Sequence, residues 1–244
     1  MGKQAQGKQR SRNDYNTDYE DRKESFHKMG MEKLSILKIT PRSIKQAEAI
    51  RQLQDNDVSF MFGPAGTAKT FLSAYMSLEW LKTGKYEKVI LSRPSVETGG
   101  TLGFLPGSLD EKIGPYMVPI IQNMKKICGC EDQVDQMQSQ KIIEYLPFQM
   151  MRGYTFDNVI VVLDECQNCT KEQMKLALTR IGDNCKVLCT MDGSQCDLED
   201  QYESCIVDMP KFKDVPGIGF IEFTNRDIVR SPMCKLIVKC YDRK

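Results

Sequence analysis

Residues 63–70 have the types and the spacing of a loop that binds phosphate. They follow the predicted strand 59–62, whose last three residues are aromatic or apolar, and they are Gly63, Pro64, Ala65, Gly66, Thr67, Ala68, Lys69 and Thr70. Backbone N–H groups of such a loop converge on phosphate oxygens, and the helix that follows adds its positive N-terminal end. The spacing therefore predicts a Walker A loop, with Lys69 on the β- and γ-phosphates and the Thr70 hydroxyl on Mg²⁺.

One position departs from the pattern G-x-x-x-x-G-K-[ST], because Ala68 stands where the second glycine is expected. Alanine adds only a methyl group, but it restricts positive φ. We therefore expect the loop to keep Ala68 in an ordinary backbone region. The alternative interpretation is a glycine-rich turn that only happens to precede Lys69 and Thr70. The strand before the loop and the helix after it favour phosphate binding.

Two adjacent carboxylates, Asp164 and Glu165, close a run of five apolar residues, 159–163. Such a run is typical of a strand buried on both faces of a parallel sheet, and open α/β sheets bind ligands at the carboxyl ends of their strands. We expect Asp164 to hold Mg²⁺, usually through water, and Glu165 to orient and deprotonate an attacking water. The alternative is an acidic strand end that caps a helix.

Three further polar residues are candidates for nucleotide contacts. Gln46 lies on a helix that begins after residues 40–43, and its amide can both donate and accept, which matches N6 and N7 of adenine. Gln195 or Asp192 follows the strand at 186–190, which should end beside the two carboxylates. Either side chain could therefore sense the γ-phosphate.

The elements that must position these residues alternate between strand and helix patterns, which predicts an α/β fold with a mostly parallel sheet flanked by helices. Predicted strands are 59–62, 88–92, 159–163, 186–190 and 217–223, with a weak edge strand at 236–241. Predicted helices are 44–53, 69–82, 113–127 and 171–181, and 129–139 is expected to be a loop. The glycine-rich segment 96–107, after Arg93 and Pro94, is expected to be functional or mobile.

Composition limits the other possibilities. The 244 residues carry a formal net charge of +1, so nucleic acid would have to bind a local patch. Residues 1–30 are too polar to order themselves and are expected to form a disordered tail, with a nucleic-acid-binding arm as the alternative; residues 31–244 are expected to form one domain. No apolar run approaches 18 residues and the N-terminus is polar, so neither a membrane span nor a signal peptide is expected.

Cysteine and histidine usage disfavours metal and disulfide scaffolds. The ten cysteines lack paired zinc-type spacing, and the chain is longer than disulfide-stapled domains. Free thiols in a reducing cytoplasm are the better interpretation. The single histidine, His27, lies in the polar tail, so His-based triads are not expected, and no separate cluster of residues indicates a nuclease.

Taken together, these segments resemble the PhoH-like family of P-loop ATPases, which is related to the ATPase core of superfamily 1 helicases. The resemblance covers about residues 40–232. It rests on 63–70, 93–97 (Arg-Pro-Ser-Val-Glu), 102–107 (Leu-Gly-Phe-Leu-Pro-Gly), 151–156 (Met-Arg-Gly-Tyr-Thr-Phe), 164–168 (Asp-Glu-Cys-Gln-Asn), 178–182 (Leu-Thr-Arg-Ile-Gly) and 192–198 (Asp-Gly-Ser-Gln-Cys-Asp-Leu).

The resemblance implies a RecA-like core, ATP with Mg²⁺, a cytoplasmic setting, a homo-oligomer in the form of a hexameric ring, and an RNA-related role. It also implies that Gln46 reads adenine, that Gln167 couples nucleotide to nucleic acid, and that Gln195 senses the γ-phosphate. Besides Ala68, the departures from the family pattern are Cys166 for alanine, Met191 for glycine and Gly100 for an acidic residue.

Two functions follow as hypotheses. The first is a helicase-like ATPase that acts on RNA or single-stranded nucleic acid. Closure over ATP would then need a neighbouring subunit, with Arg230 or Arg180 as an arginine finger in trans; either arginine could instead be a structural salt-bridge partner. The second is a nucleotide-dependent scaffold or regulator with little turnover and no nucleic-acid substrate.

Overall fold

The computed structural model describes residues 30–94 and 109–230, together with the isolated positions Met233, Ile237 and Cys240. Within them the strands are β1 (Val58–Phe62), β2 (Lys88–Ser92), β3 (Ile143–Tyr145), β4 (Val159–Leu163), β5 (Lys186–Met191) and β6 (Ile218–Glu222). The α-helices are α1 (Ile44–Asp55), α2 (Lys69–Lys82), α3 (Leu109–Cys128), α4 (Glu131–Ser139) and α5 (Lys171–Leu178).

All six strands form one parallel sheet in the order β3-β2-β4-β5-β1-β6. The predicted parallel sheet flanked by helices is confirmed. The strand that precedes the phosphate-binding loop, β1, is separated by β5 from β4, the strand that precedes the acid pair. Because register pairs Phe62 with Met191 and Leu163 with Cys189, the carboxyl ends of these three strands meet at one edge.

The core consists of two apolar layers, one on each face of the sheet. Alternate residues of β4 divide between them: Ile160 and Val162 join the layer that includes α2 and α3, and the other residues of the strand join the layer that includes α5. Every residue of β4 is buried. Burial on both faces explains why the sequence of this strand is a continuous apolar run instead of an alternating one.

Local sequence sets where the helices begin. The Ser43 hydroxyl caps α1 by accepting the N–H of Gln46, and the Thr170 hydroxyl caps α5 in a reciprocal capping box with Gln173. Such side chains satisfy N–H groups that have no partner inside the helix. The expected loop at 129–139 is wrong, because 131–139 form α4, whose Val134 and Met137 are buried three positions apart on one face.

Three other differences concern element ends and short strands. The three-residue strand β3 was not expected; it exists because it pairs with β2, a contact that its own sequence does not signal. Helix α5 ends at Leu178 instead of 181. The predicted edge strand at 236–241 is wrong at its two described positions, Ile237 and Cys240, where the backbone is helical.

Some expectations lie outside the described residues. The polar tail falls there up to residue 29, as do the whole glycine-rich segment 96–107 and the Gly100 departure. The extent of a single domain over 31–244 stays a prediction. Among the described residues, no helix has the length and apolarity needed to span a membrane.

Candidate active site

The predicted phosphate-binding loop wraps around the side chain of its own lysine. Lys69 Nζ donates to the carbonyl oxygens of Gly63 at 2.6 Å and Pro64 at 3.1 Å, and Thr67 Oγ1 donates to the Pro64 carbonyl at 2.9 Å. Helix α2 begins at Lys69, directly after the loop. The N-terminal end of α2, with its free N–H groups and positive partial charge, therefore faces the space that the loop encloses.

Two glycines of the loop are required by close approach as well as by positive φ. A Cβ on Gly63, at φ 140°, would lie 2.6 Å from the backbone oxygen of Phe223 on the neighbouring chain segment after β6. A Cβ on Gly66, at φ 87°, would lie 3.0 Å from Cδ of Arg230. The first neighbour is rigid backbone and the second is a flexible side chain, so Gly63 is the stricter requirement.

The expectation that Ala68 keeps an ordinary backbone conformation is wrong. Ala68 has φ 74° and ψ 23°, in the left-handed region, and its carbonyl accepts the N–H of Leu72 to begin α2. For an L-residue this conformation costs roughly 1–2 kcal/mol. The turn from the loop into α2 imposes a left-handed residue at this position, and the alanine methyl does not change that geometry.

The acid pair meets the phosphate-binding loop through a direct hydrogen bond. Thr70 Oγ1 donates to Asp164 Oδ1 at 2.9 Å, although 94 positions separate the two residues. Asp164 is 4% exposed, and Glu165, the next residue, has φ 56° and ψ 43°. A second non-glycine residue of the site is therefore held in the left-handed region, a form of strain that is concentrated at functional sites.

Thr190, near the end of β5, contacts both acids and was missed by the sequence analysis. Its hydroxyl donates to Asp164 Oδ1 at 2.6 Å and accepts the backbone N–H of Glu165 at 3.1 Å. A threonine in a buried strand gives no signal of such a role, because threonine is also an ordinary strand residue. Only the pairing of β5 with β4 reveals it.

A buried amide joins the acid pair to the segment after β5. Gln167, 1% exposed, donates through Nε2 to Glu165 Oε2 at 2.6 Å and to the Gln195 carbonyl at 3.2 Å, and its Oε1 accepts the Asp192 N–H at 3.0 Å. The exposed Gln195 side chain in turn donates to Asp192 Oδ2 at 2.9 Å. The two candidates for the γ-phosphate sensor, Asp192 and Gln195, are thus one bonded unit.

Arg93 supplies a cation opposite the two carboxylates. Its NH1 lies 3.9 Å from Asp164 Oδ2 and its NH2 lies 4.0 Å from Glu165 Oε1, and NH1 also donates to the Tyr116 carbonyl on α3 at 3.4 Å. The sequence does indicate that Arg93 lies at the carboxyl end of a strand, because it directly follows β2. It did not indicate that the carboxyl ends of β2 and β4 are adjacent.

A cavity of about 650 Å³ opens beside the loop. Its volume is typical of small-molecule sites, which span about 300–1,000 Å³. Eight of the predicted site residues line it: Gln46, Ala65, Gly66, Ala68, Lys69, Thr70, Glu165 and Arg230. Arg42, which precedes α1, and Asn123 and Lys126 of α3 also line it. They were not predicted, because the sequence pattern alone does not show which exposed residues face a loop elsewhere in the chain.

Gln46 reaches this cavity from α1 with one amide atom already bonded. It is 5% exposed, and its Oε1 accepts the backbone N–H of Arg42 at 2.8 Å. That bond fixes which way the amide faces. A buried glutamine in a cavity wall fits the predicted adenine contact better than a solvated one would, and the contact itself stays a prediction.

The two candidate arginines lie in different places. Arg230 packs on Gly66 of its own chain, and the N–H of Val229 donates to the Gly66 carbonyl at 2.9 Å. Arg180 does not line the cavity. Its carbonyl accepts the N–H of Phe156, which precedes the amino end of β4, the sheet edge opposite the loop. Arg230 therefore lines the cavity of its own subunit, and Arg180 lies away from it.

The electrostatic environment of Lys69 favours an anionic ligand. Burial lowers the pKa of its ammonium, and Arg230 adds a smaller lowering effect, whereas the carboxylates of Asp192, Glu165 and Asp164 act in the opposite direction. The net result is a lowered pKa. Phosphate oxygens beside Nζ would supply the negative charge that offsets the desolvation of the ammonium.

The donor set fits Mg²⁺ in the manner of phosphate-binding loops. Within the described parts of the chain, no group of three or more His, Cys, Asp or Glu could hold a metal ion by itself. In a nucleotide site, Mg²⁺ needs only a hydroxyl and one carboxylate besides phosphate oxygens and water. Thr70 and Asp164, already in contact, provide that pair.

A parallel sheet with a lysine-bearing phosphate loop after one strand and an acid pair after another, one strand apart, defines the P-loop NTPase class of fold. A family model described as PhoH-like protein matches residues 38–242. The chain therefore belongs to the PhoH-like family, and the resemblance inferred from its motifs is confirmed.

Comparisons with individual relatives support the same family assignment. The chain is 40% identical over 207 residues to the PhoH-like protein of Bacillus subtilis, a match that covers 84% of this chain and 65% of that protein. It is 34% identical over 205 residues to Protein PhoH of Escherichia coli K12, which covers 83% of this chain and 58% of that protein. The chain thus spans about six tenths of the length of these curated relatives.

Among solved structures, the large terminase from a thermophilic bacteriophage matches 84% of this chain and 51% of its own, with a TM-score of 0.55 and 13% identity. A second structure of that terminase, in complex with ADP, matches 83% of this chain and 50% of its own, with a TM-score of 0.53 and 15% identity. At sequence identities this low, the similarity shows a shared fold alone.

Proposed function

We propose that this chain binds ATP with Mg²⁺ and hydrolyses it, and that it does so as a helicase-like oligomer acting on RNA or single-stranded nucleic acid. The observation that carries the ATPase part is the 2.9 Å hydrogen bond from Thr70 to Asp164. It joins the phosphate-binding loop to the acid pair, and Lys69 and Glu165 line the same cavity.

Each residue then has a defined task. Lys69 binds the phosphates, and Thr70 with Asp164 holds Mg²⁺, which when bound neutralises charge on the phosphate oxygens. Glu165 accepts the proton of the attacking water. Because Glu165 Oε2 already accepts the Gln167 amide, Oε1 is the oxygen available to that water.

The arginines divide between two subunits in this proposal. Arg230, packed on its own loop, contacts the phosphates in cis. Arg180, at the opposite edge of the sheet, can reach only the nucleotide of a neighbouring subunit, as a ring requires. A finger in trans is typically worth ~10³–10⁵ in rate, so turnover per subunit should rise steeply as the oligomer forms.

Coupling to nucleic acid is proposed for the bonded unit of Gln167, Asp192 and Gln195. These residues connect Glu165 to the segment after β5, so a displacement of that segment alters the hydrogen bond to the catalytic carboxylate.

The second candidate function, a nucleotide-dependent scaffold with little turnover, is favoured by one observation. The left-handed Ala68 strains the loop that must adapt to the phosphates.

ATP turnover measured without polymer, with RNA and with single-stranded DNA, alongside the solution mass, separates these functions. We expect slow basal turnover, stimulation by RNA or single-stranded DNA, and loss of turnover in Glu165→Gln. Nucleotide binding without turnover under any of these conditions would favour the scaffold. Wild-type rates in Glu165→Gln would remove Glu165 as the base.

A subunit-mixing experiment tests the division of the arginines. Arg180→Ala and Glu165→Gln proteins should each be inactive alone. If Arg180 acts in trans, the mixture should regain activity, because Arg180 of a Glu165→Gln subunit can complete the site of an Arg180→Ala neighbour, which still has Glu165. Arg230→Ala mixed with Glu165→Gln should regain none if Arg230 acts in cis. Equal recovery in both mixtures would contradict the assignment.

A further inference from the structure

Among the described residues, Thr190 is the one buried hydroxyl that touches both acids of the site, and neither the family motifs nor the predicted roles assign it a task. It belongs to β5 and is 1% exposed. Its Oγ1 lies 2.6 Å from Asp164 Oδ1 and 3.1 Å from the Glu165 backbone nitrogen. The two contacts are made by a single atom, so the positions of the two acids are linked through it.

The direction of both hydrogen bonds is fixed by chemistry. A threonine hydroxyl has one proton to donate, an ionised carboxylate can only accept, and a backbone N–H can only donate. The Thr190 proton must therefore lie toward Asp164, and a lone pair of Oγ1 must accept from Glu165. No other arrangement of the proton satisfies both neighbours.

The first bond decides which oxygen Asp164 has free. Oδ1 accepts from Thr190 at 2.6 Å and from Thr70 at 2.9 Å, which sets the plane of the carboxylate. Oδ2 is left on the side of Arg93, whose NH1 lies 3.9 Å away. Asp164 can then offer Oδ2 to a metal or its water without losing the contact to the phosphate-binding loop.

The second bond anchors the backbone from which the Glu165 side chain departs. Glu165 has φ 56°, a region that residues with side chains rarely adopt. Its N–H is held by Thr190, and its Oε2 accepts from Gln167 at 2.6 Å. One restraint thus holds the backbone nitrogen of this strained residue and the other holds its carboxylate, which lines the cavity.

We infer that Thr190 is a positioning residue for ATP hydrolysis. Through one hydroxyl it determines which oxygen of Asp164 is free for the metal and which way the Glu165 carboxylate points. The inference rests on the proposed ATPase function. Thr190→Val tests it, because valine keeps the branched shape and favours a strand but cannot donate or accept. Thr190→Ser, which keeps the hydroxyl, is the matched control.

We expect Thr190→Val to lower kcat by roughly 10- to 100-fold, the effect of losing a hydrogen bond to a charged group and leaving an N–H without a partner. KM for the Mg²⁺ complex of ATP should rise as well, because the variant also loses the part of nucleotide binding that depends on the metal, so kcat/KM should fall by more than kcat. Thr190→Ser should stay within about threefold of wild type in both constants.

A second readout does not depend on turnover. The affinity for a fluorescent ADP analogue is measured with Mg²⁺ and with EDTA for each protein. The gain in affinity on adding Mg²⁺ should be largely lost in Thr190→Val and kept in Thr190→Ser. The affinity in EDTA should be the same in all three, because Lys69 and the loop are unchanged. Thermal unfolding checks that each variant is folded, and Thr190→Ala replaces a valine variant that is not.

The outcomes separate the inference from the function beneath it. An active wild type whose valine variant keeps both its kcat and its Mg²⁺ gain would overturn the inference alone. A serine variant as impaired as the valine variant would overturn it too, because the hydroxyl would then not be the group that matters. A wild type that binds nucleotide without hydrolysing it under any condition would overturn the proposed function and this inference together.

Discussion

Replacing Gln167 should destabilise the fold and impair the site at the same time, because a single buried amide holds the two together. Gln167→Ala removes the donor to Glu165 Oε2 and to the Gln195 carbonyl, and it leaves the buried N–H of Asp192 without an acceptor. An unsatisfied buried donor costs about 1–3 kcal/mol, and each neutral hydrogen bond contributes about 0.5–1.5 kcal/mol.

The bond to Glu165 adds less than a fully buried charged pair would, because the Glu165 side chain is 28% exposed. We therefore expect a total loss of about 3 kcal/mol in the free energy of unfolding. For a chain of this size that corresponds to a fall in Tm of roughly 6–12 °C. Urea unfolding followed by circular dichroism measures the first quantity, and a thermal scan measures the second.

Gln136→Ala is the matched control, since it truncates an exposed glutamine on α4 and should change stability by less than about 0.5 kcal/mol. Gln167→Glu is more specific. It keeps the acceptor for Asp192 but puts a carboxylate oxygen where Nε2 met Glu165 Oε2 at 2.6 Å. The loss in free energy of unfolding in Gln167→Glu should be larger at pH 7 than at pH 5, because protonation of one of the two carboxyls restores a donor.

The reasoning about this network would be refuted if Gln167→Ala unfolded within about 0.5 kcal/mol of wild type while Gln136→Ala did the same. A glutamate variant with the same defect at both pH values would show that Gln167 and Glu165 do not meet in solution. ATP turnover, measured on the folded variants, should fall in Gln167→Ala and be unchanged in Gln136→Ala.

Further predictions concern the loop and the thiols. Ala68→Gly should raise stability by about 0.5–1 kcal/mol in urea unfolding, because relief of the left-handed strain exceeds the backbone entropy cost of glycine; a loss of stability would contradict the strain argument. Gly63→Ala should lower the yield of folded protein, since its Cβ would meet the Phe223 backbone oxygen at 2.6 Å. Burial raises the pKa of the Cys128 thiol to about 11 and that of Cys185 to about 12, from 9.0. Above pH 9 the unfolded chain holds fewer thiol protons than the folded one, so these thiols should lower stability as pH rises, and substituting both by alanine should weaken that pH dependence. At pH 8 both should resist alkylation until the protein unfolds, as mass spectrometry can follow.

Much of the architecture could be predicted because local sequence and tertiary context agree. The five apolar residues of β4 predict a strand buried on both faces, and the sheet buries all five. Helix α2 begins and ends at the predicted residues, since a loop of small residues precedes it and Lys82, Thr83 and Gly84 close it. The failures lie where tertiary contact decides: β3 is a strand through pairing with β2, and α4 is a helix because two apolar side chains meet the core.

The residue types of the site were determined by the sequence alone. A lysine and a threonine after a loop of small residues, and an acid pair after an apolar strand, have few chemical uses other than holding phosphate and metal. Their order along the chain was sufficient to indicate the family. Those inferences need only the identity and spacing of neighbours, which the sequence states directly.

Only the tertiary structure decided how those groups are held. Sheet order places Thr190 between the acids and Arg93 opposite them, and it divides the two candidate arginines between opposite edges. The turn into α2 imposes a left-handed Ala68 that the residue type argued against. These features depend on contacts between segments far apart in the chain, and such contacts are set by the packing of the sheet instead of by any local pattern.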